Sequence, residues 1–314
     1  MKPAIAARLC QAAVLALPVI GIVEVWAHHR AVSRAPAFDD WGAIVGPVDQ
    51  LRDAGDVVTV APRWAEPLAR RALGDERMPL RDVARPDLSR YRAALEVSIL
   101  GERDPELAGW RETSRSESGA FTFRRLENPA AEVPVFDFVD AVVPERLAVA
   151  VSDGAAAAPC PFTARARVSA GNLGGHPTFP AARFQCPGGE FMNVSVTVIA
   201  DERFRARRCI FAHPPLGGRA LELRYRGVEL GTRIRGHGGI YWMVERELAG
   251  APVELDVRVD GELVGHWVHR DGEGWAGFDF ALGSHAGARD AEVVFAVRAD
   301  EARHRHFCFE ADSR

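Results

Sequence analysis

Residues 253–259 carry the feature that most restricts the fold of this chain, an alternation of apolar and charged side chains. Valine or leucine occupies every second position, and an acid or an arginine stands between them. This two-residue period predicts a strand that is buried on one face only. Asp260-Gly261 follows and is typical of a tight turn, so we expect the strand to form a hairpin with residues 263–269.

The same strand-forming pattern extends from residue 145 to residue 314. No helical periodicity follows Pro144, and β-branched runs alternate with turns rich in Gly, Pro and Asp. A turn at residues 270–274 leads into a further strand at 275–282, which predicts a three-strand meander. Eight or so short antiparallel strands predict a β-sandwich domain, with a jelly roll as the expected topology.

Residues 38–144 alternate between helical and strand patterns, which predicts a small α/β domain with a partly parallel sheet. The chain as a whole is therefore expected to be a two-part α+β protein, with a linker at residues 28–37. The predicted elements of this domain are a helix at 40–51, a strand at 56–61, a helix at 65–73, strands at 93–100 and 120–126, and a short helix at 135–142.

An apolar stretch at residues 9–27 follows two basic residues near the start of the chain. Its nineteen residues reach the minimum length for a bilayer span, which predicts an N-terminal signal-anchor helix. Val25-Trp26-Ala27 also suits a signal peptidase. In that alternative the segment is a signal peptide, and the mature protein starts near His28 and is secreted.

Four of the five cysteines, Cys160, Cys186, Cys209 and Cys308, form an even set far from Cys10. Their spacing fits neither a zinc site nor a Cys-x-x-Cys redox motif, so we expect two disulfides, with free buried cysteines as the alternative. The expected pairs are Cys209 with Cys308, joining the first and last strands of the sandwich, and Cys160 with Cys186. Disulfides persist outside the cytoplasm, which favours a periplasmic or cell-envelope location.

Composition and missing motifs exclude several classes of function. A net charge of −4 and scattered arginines leave no basic field for nucleic acid. The chain has a single lysine and no phosphate-binding loop, which argues against ATP chemistry, and it lacks the Gly-x-Gly-x-x-Gly and Gly-x-Ser-x-Gly motifs. We therefore predict no cofactor and no catalytic residue, and an enzyme is the less favoured interpretation.

Aromatic residues of the predicted sandwich are the candidate binding residues. Trp267 and Trp275 are out of phase with the apolar residues of their own strands, so both are expected on the outer face of one sheet. Neighbouring strands would join them in one platform, with His269 beside them. Flat exposed rings suit the apolar face of a sugar. The alternative is that another part of the protein covers both rings. The remaining candidates are His237, in a glycine-rich turn at 236–239, Tyr241 and Trp242.

Two histidine pairs raise the question of a metal site. His304 and His306 are two residues apart and share a face of a predicted strand, but no third ligand stands nearby. His266 and His269 are three apart and point to opposite faces. No metal is predicted.

Residues 51–64 read Leu-Arg-Asp-Ala-Gly-Asp-Val-Val-Thr-Val-Ala-Pro-Arg-Trp, a helix end followed by a buried strand and Pro-x-Trp. This segment resembles the extracytoplasmic tail of membrane glycosyltransferases of the protein-mannosyltransferase-like class. The many membrane spans and the acidic catalytic loop of that family are missing from this sequence. The resemblance implies a setting near glycan assembly and carries over no catalytic residue.

These observations predict a membrane-anchored extracytoplasmic protein that binds a carbohydrate or a glycan-assembly partner of the cell envelope. The alternative is a glycan-modifying hydrolase with carboxylates at the domain interface, because glycosidase carboxylates carry no local motif. A purely structural assembly protein is the third hypothesis.

Overall fold

The structure, a computed structural model, describes residues 3–33, 35–171 and 176–314, and the side chains among them except those of 3–15 and 31–32. The chain forms two compact units. The first comprises Met1–Pro79 and Tyr91–Ala130, and the second comprises Leu80–Arg90 and Ala131–Arg314. Each unit is therefore built from two separate pieces of the chain.

The N-terminal helix α1, Pro3–Val32, contains the apolar stretch that was predicted to anchor the protein. Among the residues described above, no helix is both long and apolar enough to cross a membrane. The predicted signal-anchor is therefore not supported. Part of the predicted span, the side chains of residues 9–15, lies outside the described set.

The first unit contains a four-stranded sheet with short helices. β1 (Val57–Ala61) runs parallel to β2 (Ala93–Ser98), and β3 (Arg111–Ser118) and β4 (Phe121–Glu127) complete the order β1-β2-β4-β3 in antiparallel pairing. The predicted partly parallel sheet is confirmed. The helices are α2 (Val45–Leu51), α3 (Glu66–Arg77) and 3-10 turns at Phe38–Ile44, Arg63–Ala65 and Pro105–Leu107.

The second unit is a sandwich of two antiparallel sheets. The strands of the larger sheet are β5 (Phe136–Asp137), β8 (Phe162–Thr163), β9 (Arg183–Gln185), β10 (Asn193–Ala200), β11 (Ala206–Ala212), β13 (Arg233–Ile240), β16 (Ala276–Ala281) and β18 (Phe307–Ser313). Those of the smaller sheet are β6 (Leu147–Ser152), β7 (Ala157–Pro159), β12 (Ala220–Val228), β14 (Val253–Val259), β15 (Glu262–His269) and β17 (Ala291–Arg298). The helical elements are α4 (Leu80–Val83), α5 (Trp242–Glu245) and a 3-10 turn at Gly283–His285.

Strand order confirms the predicted sandwich and corrects two local predictions. The larger sheet runs β16-β13-β18-β11-β10-β9-β8, with β5 beside β18, and the smaller runs β15-β14-β17-β12-β6-β7. The predicted three-strand meander is wrong, because β15 and β16 belong to different sheets and the turn at 270–274 crosses between them. The helix predicted at 135–142 is also wrong, since this segment contains β5. The jelly-roll topology stays a prediction.

The core of the second unit lies between its two sheets. The alternation in β14 is observed as predicted, with Val253, Leu255, Val257 and Val259 fully buried. Apolar side chains of both sheets meet them in one continuous cluster. This burial is what holds the two sheets together, because apolar area removed from water contributes about 25 cal/mol per Å².

Both predicted disulfides are present in the second unit. Cys209 is bonded to Cys308, with their Cα atoms 5.7 Å apart, and Cys160 is bonded to Cys186. The strands joined by the first bond are not the first and last of the sandwich. They are β11 and β18, which are hydrogen-bonded neighbours in the middle of the larger sheet.

The second unit begins earlier than the predicted boundary near Pro144 and includes Leu80–Arg90. One reason is that β5 pairs with β18. Another is Arg85, whose guanidinium lies 2.7 Å from the carboxylate of Asp137 and 3.3 Å from that of Glu310. All three side chains are largely buried, so the short segment is held by charge pairs with little exposure to solvent.

Removing Arg85 is expected to destabilise the protein strongly. Arg85→Ala leaves two largely buried carboxylates short of a partner, and we expect it to lower the free energy of unfolding by about 3 kcal/mol. Arg233→Ala is the control, because Arg233 pairs with Asp279 at an exposed site and should lose less than about 1 kcal/mol. Urea unfolding of the full chain measures both. If Arg85→Ala lowers the free energy of unfolding no more than the small loss of Arg233→Ala, the Arg85 pairs add no more stability than an exposed pair.

Candidate functional site

Trp267 and His269 point into the sandwich and not outward as predicted. Trp267 lies opposite Leu255, and His269 lies opposite Val253, and both partners belong to the core. The cause is a bulge at Val264, which shifts the pairing of β14 with β15 by one residue. One extra residue reverses the face that the following side chains occupy, and sequence alternation alone does not reveal it.

Trp267 and Trp275 lie on opposite faces of the larger sheet. A Cβ atom placed on Gly238 would lie 3.1 Å from the Trp267 ring, and one on the next residue, Gly239, would lie 2.8 Å from the Trp275 ring. Successive residues of a strand face opposite sides. The predicted tryptophan platform is therefore wrong. Trp275 is half-buried on the outer face, with the Arg207 guanidinium 6.0 Å from its ring centre.

His269 supports a turn and has no contact with solvent. Its Nε2 lies 3.0 Å from one carboxylate oxygen of Glu245. The other oxygen of Glu245 accepts hydrogen bonds from the amides of Gly272 and Gly274, both at 2.9 Å. Because His269 and Glu245 are almost completely buried, they hold the turn at 270–274 in place and are not reachable by a ligand.

His237 lies on the outer face of the larger sheet but belongs to a network of charges. The predicted glycine-rich turn at 236–239 is part of β13, and its glycines are extended and do not have positive φ. Nδ1 of His237 lies 2.9 Å from the carboxylate of Glu310, which also pairs with Arg85. Segment Leu80–Arg90 lies at this end of the face.

Tyr241 and Trp242 stand at the opposite end of the same face, where β13 passes into α5. Tyr241 is buried in a small outer core that also contains the Cys209–Cys308 disulfide. Its amide donates a hydrogen bond to the carbonyl of His306 at 3.1 Å. Trp242 is half-buried against this core. Of the six predicted residues, these two and Trp275 pack in one place.

A cluster of imidazole and phenyl rings continues this outer core to the surface. We call it the histidine-phenylalanine cluster, and its members are His176, Phe179, Phe191, Phe211, His213 and His306. Phe191 lies flat on His306, with ring centres 5.1 Å apart and planes 5° apart. Phe191 is 37 % exposed and His306 only 7 %, so the cluster presents one aromatic ring to solvent over a buried imidazole.

Four different stretches of chain bring these rings together. Phe211 lies in β11, and His213 follows that strand. His306 immediately precedes β18, which pairs with β11. Phe191 comes from the loop between β9 and β10. His176 and Phe179 precede β9, and Phe179 is held by a bridge to Ser169. The cluster therefore depends on strand pairing between residues far apart in sequence.

Two imidazoles of the cluster, those of His213 and His306, remain neutral near physiological pH. Burial, with smaller contributions from the neighbouring His213, His304 and His176, lowers the pKa of His306 to about 3. Burial also lowers the pKa of His213. Nδ1 of His306 is buried and has no hydrogen-bond partner in the described part of the chain. This atom lacks the hydrogen bond that most buried polar atoms have.

Two of the histidines have a defined tautomer, because Nδ1 of each lies against the backbone carbonyl of the residue that follows it. Nδ1 of His213 lies 2.8 Å from the carbonyl oxygen of Pro214, and Nδ1 of His176 lies 2.7 Å from that of Pro177. A carbonyl oxygen only accepts hydrogen bonds, so Nδ1 carries the hydrogen in each ring. In the neutral ring of His213, Nε2 is therefore an acceptor, available to a hydroxyl group.

No metal centre accompanies these histidines within residues 3–33, 35–171 and 176–314. There, no group of three or more His, Cys, Asp or Glu side chains is arranged to hold a metal ion. His304 and His306 have ring centres 6.5 Å apart. What the cluster offers is flat apolar surface with hydrogen-bonding ring edges.

Sequence reasoning missed most of this cluster. His306 was considered only as a chelating partner of His304, and Phe191 lies in a loop without periodicity. The repeated His-Pro dipeptide, at 176–177 and 213–214, was a usable signal, because both copies set the tautomer of a ring in the cluster. The contact between Phe191 and His306 joins loops more than one hundred residues apart, and no local pattern contains it.

Two comparisons of the sequence found no match for this chain. No protein-family model matches it, and no curated protein matches its sequence. The resemblance of residues 51–64 to mannosyltransferase tails therefore stays a prediction.

Solved structures from Clostridium perfringens show a weak likeness. One contains the CBM51-2 and INT domains of ZmpB in complex with GlcNAc: it is 17 % identical, the match covers 38 % of this chain and 25 % of that one, and the TM-score is 0.26. The ZmpB M60 catalytic domain with CBM51-1 and CBM51-2 gives 13 % identity, coverage of 66 % and 20 %, and a TM-score of 0.29. CBM51 of GH95 in complex with methyl-galactose is 11 % identical. The match covers 38 % of this chain and 78 % of that one, and the TM-score is 0.24. The match thus spans a quarter and a fifth of the two ZmpB chains. TM-scores this low carry no argument about this chain.

Acid is expected to destabilise the protein through His306. The unfolded chain binds a proton at the ordinary histidine pKa of 6.5, whereas the folded protein binds it only near 3. Stability from this group is therefore complete above pH 6.5 and is lost as the pH falls toward 3. His306→Phe keeps a ring but cannot titrate. Between pH 7 and 4.5 we expect the wild type to lose about 2–3 kcal/mol more than this variant.

Urea unfolding of both proteins at several pH values measures this difference, and other titrating groups cancel between them. His28→Gln, at an exposed site in α1, is the control and should follow the wild type. Parallel pH profiles for the wild type and His306→Phe would contradict the prediction.

Proposed function

We propose that the sandwich unit binds glycans outside the cytoplasm through the histidine-phenylalanine cluster. The observation that carries the proposal is the partly exposed ring of Phe191, stacked on the buried His306 and surrounded by further imidazoles. The two disulfides support the location, because such bonds persist in oxidising compartments. Anchoring through α1 is not part of the proposal.

The chemistry of the cluster suits a sugar. Sugar rings have an apolar face, which packs on aromatic rings, and a rim of hydroxyl groups, which needs directed hydrogen bonds. Phe191 provides the partly exposed ring. Nε2 of His213, whose ring centre lies 6.5 Å from that of Phe191, provides an acceptor. Neutral imidazoles favour uncharged hydroxyl partners.

Two predicted candidates link the cluster to a second exposed ring. The ring of Tyr241 lies 6.5 Å from that of His306 and 6.0 Å from that of Trp242, between centres. Trp242 in turn lies 5.1 Å from Phe204, a ring that is 59 % exposed. Because Tyr241 is buried, Phe191 and Phe204 are two separate exposed rings joined beneath the surface by the outer core. The hydrolase alternative is not adopted, because no observation on either unit favours it.

Phe191→Ala is expected to remove glycan binding and leave the fold intact. The probes are N-acetylglucosamine and methyl galactoside, followed by a glycan array, with affinity measured by calorimetry. We expect at least about a tenfold loss of affinity, equal to roughly 1.4 kcal/mol, because the exposed stacking ring is gone. His213→Phe should weaken binding as well, since it keeps the ring and removes the Nε2 acceptor.

The control is Trp64→Ala, which removes a more exposed aromatic ring, 59 % accessible, from the first unit. The glycan affinity and the melting temperature of Trp64→Ala should equal those of the wild type. Undiminished glycan binding by Phe191→Ala, with an unchanged melting temperature, would refute this surface as the site.

A further inference from the structure

A polar cleft adjoins the histidine-phenylalanine cluster. Its volume is about 650 Å³, and its walls are Arg167, Val168, Ser169, Ala170, Arg183 and Glu190. Two links connect it to the cluster. The hydroxyl of Ser169 lies 3.4 Å from Nε2 of His176, and Glu190 is the residue before Phe191. The cleft and the cluster are therefore neighbours on the second unit.

Arg183 is the distinctive wall residue. Its side chain is 6 % exposed, and Nη1 donates hydrogen bonds to the carbonyls of Arg167 and Pro180, while Nε donates to the side-chain oxygen of Gln185. Neutral oxygens thus hold the guanidinium. Among the described residues no carboxylate lies within 4.0 Å of it, although buried arginines are normally paired with an acid.

The charge of the cleft is positive overall. Arg167 is exposed at its wall and likewise has no carboxylate within 4.0 Å among the described residues. Glu190 is the single acid in the lining, and it pairs with neither arginine. Two guanidinium groups therefore face the cleft, and one of them is fixed by its hydrogen bonds before any ligand arrives.

We infer that this cleft binds the carboxylate of an acidic sugar. The hydrogen bonds of Nε and Nη1 leave both N–H groups of Nη2 of Arg183 for a carboxylate, and a guanidinium held rigidly loses little side-chain entropy on binding. The inference rests on the proposed function, because the sugar ring is placed on Phe191 and its charged group in the cleft. It names uronic acids as the class of sugar that the site prefers.

The test uses sugars that differ in one group. Galactose and galacturonate share a ring, and only the second has a carboxylate at C6; glucose and glucuronate form a second pair. Calorimetry with the full chain at constant ionic strength should show the acid of each pair binding at least about tenfold more tightly. Acetate serves as the free anion and should not displace the sugar acid at equal concentration.

Variants at three exposed residues and at the buried Arg183 separate the charge of the cleft from its structure. Arg167→Ala should reduce the preference for the acid at least threefold without changing affinity for the neutral sugar. Glu190→Gln should increase the preference, because it removes the only acid of the lining. Arg165→Ala is the matched control, two residues from Arg167 and outside the lining. Arg183→Lys keeps the charge, loses the fixed guanidinium and its Nη2 donor, and should lower the preference; its melting temperature is measured alongside.

The outcomes distinguish the two proposals. Equal affinity for the acidic and neutral sugars would overturn the cleft and leave the glycan site on Phe191 standing. A preference for acid that survives Arg167→Ala and Arg183→Lys would also overturn it. Acid binding that depends on Arg167 but not on Phe191 would support the cleft and refute the proposed surface. Displacement by acetate alone would show a general anion site and overturn the sugar-acid assignment.

Discussion

Close contact of aromatic rings with the bare backbone of β13 is the packing on which the second unit depends. A Cβ atom on Gly236 would lie 2.5 Å from the ring of Phe278, and those on Gly238 and Gly239 would approach Trp267 and Trp275. The rings occupy space that any other residue would fill. Large side chains therefore pack closely on both faces of one central strand, and the core and the outer face are coupled through it.

The outer face of the larger sheet is divided by the Cys209–Cys308 bond. On one side lie charged side chains: the guanidinium of Arg85, from segment Leu80–Arg90, and the imidazole of His237 both contact the carboxylate of Glu310. On the other side lie aromatic rings and neutral imidazoles, which end at the surface with Phe191. Burial keeps His213 and His306 uncharged, and the same burial makes them sensitive to acid. The proposed binding surface and a source of pH dependence thus occupy the same place.

Much of the architecture followed from local patterns. Two-residue alternation located β14, and the count and spacing of cysteines indicated both disulfides, because period and covalent chemistry are properties of the chain itself. The candidate site followed less well. Tyr241, Trp242 and Trp275 lie together on the outer face, whereas Trp267 and His269 are core residues. A single bulge at Val264 accounts for that failure, since one residue out of register exchanges the two faces of a strand.

The sequence by itself determined the strands with a clear two-residue period, such as β14, and which cysteines are available to pair. Only the tertiary structure decided that residues 136–137 and 236–239 belong to strands, which strands are neighbours, that β15 and β16 belong to different sheets, and that Phe191 meets His306. It also left Arg183 buried with no carboxylate within 4.0 Å among the described residues. The physical reason is that periodicity records burial along one element, while a site is made by contacts between elements, and those depend on register and packing that no single segment encodes.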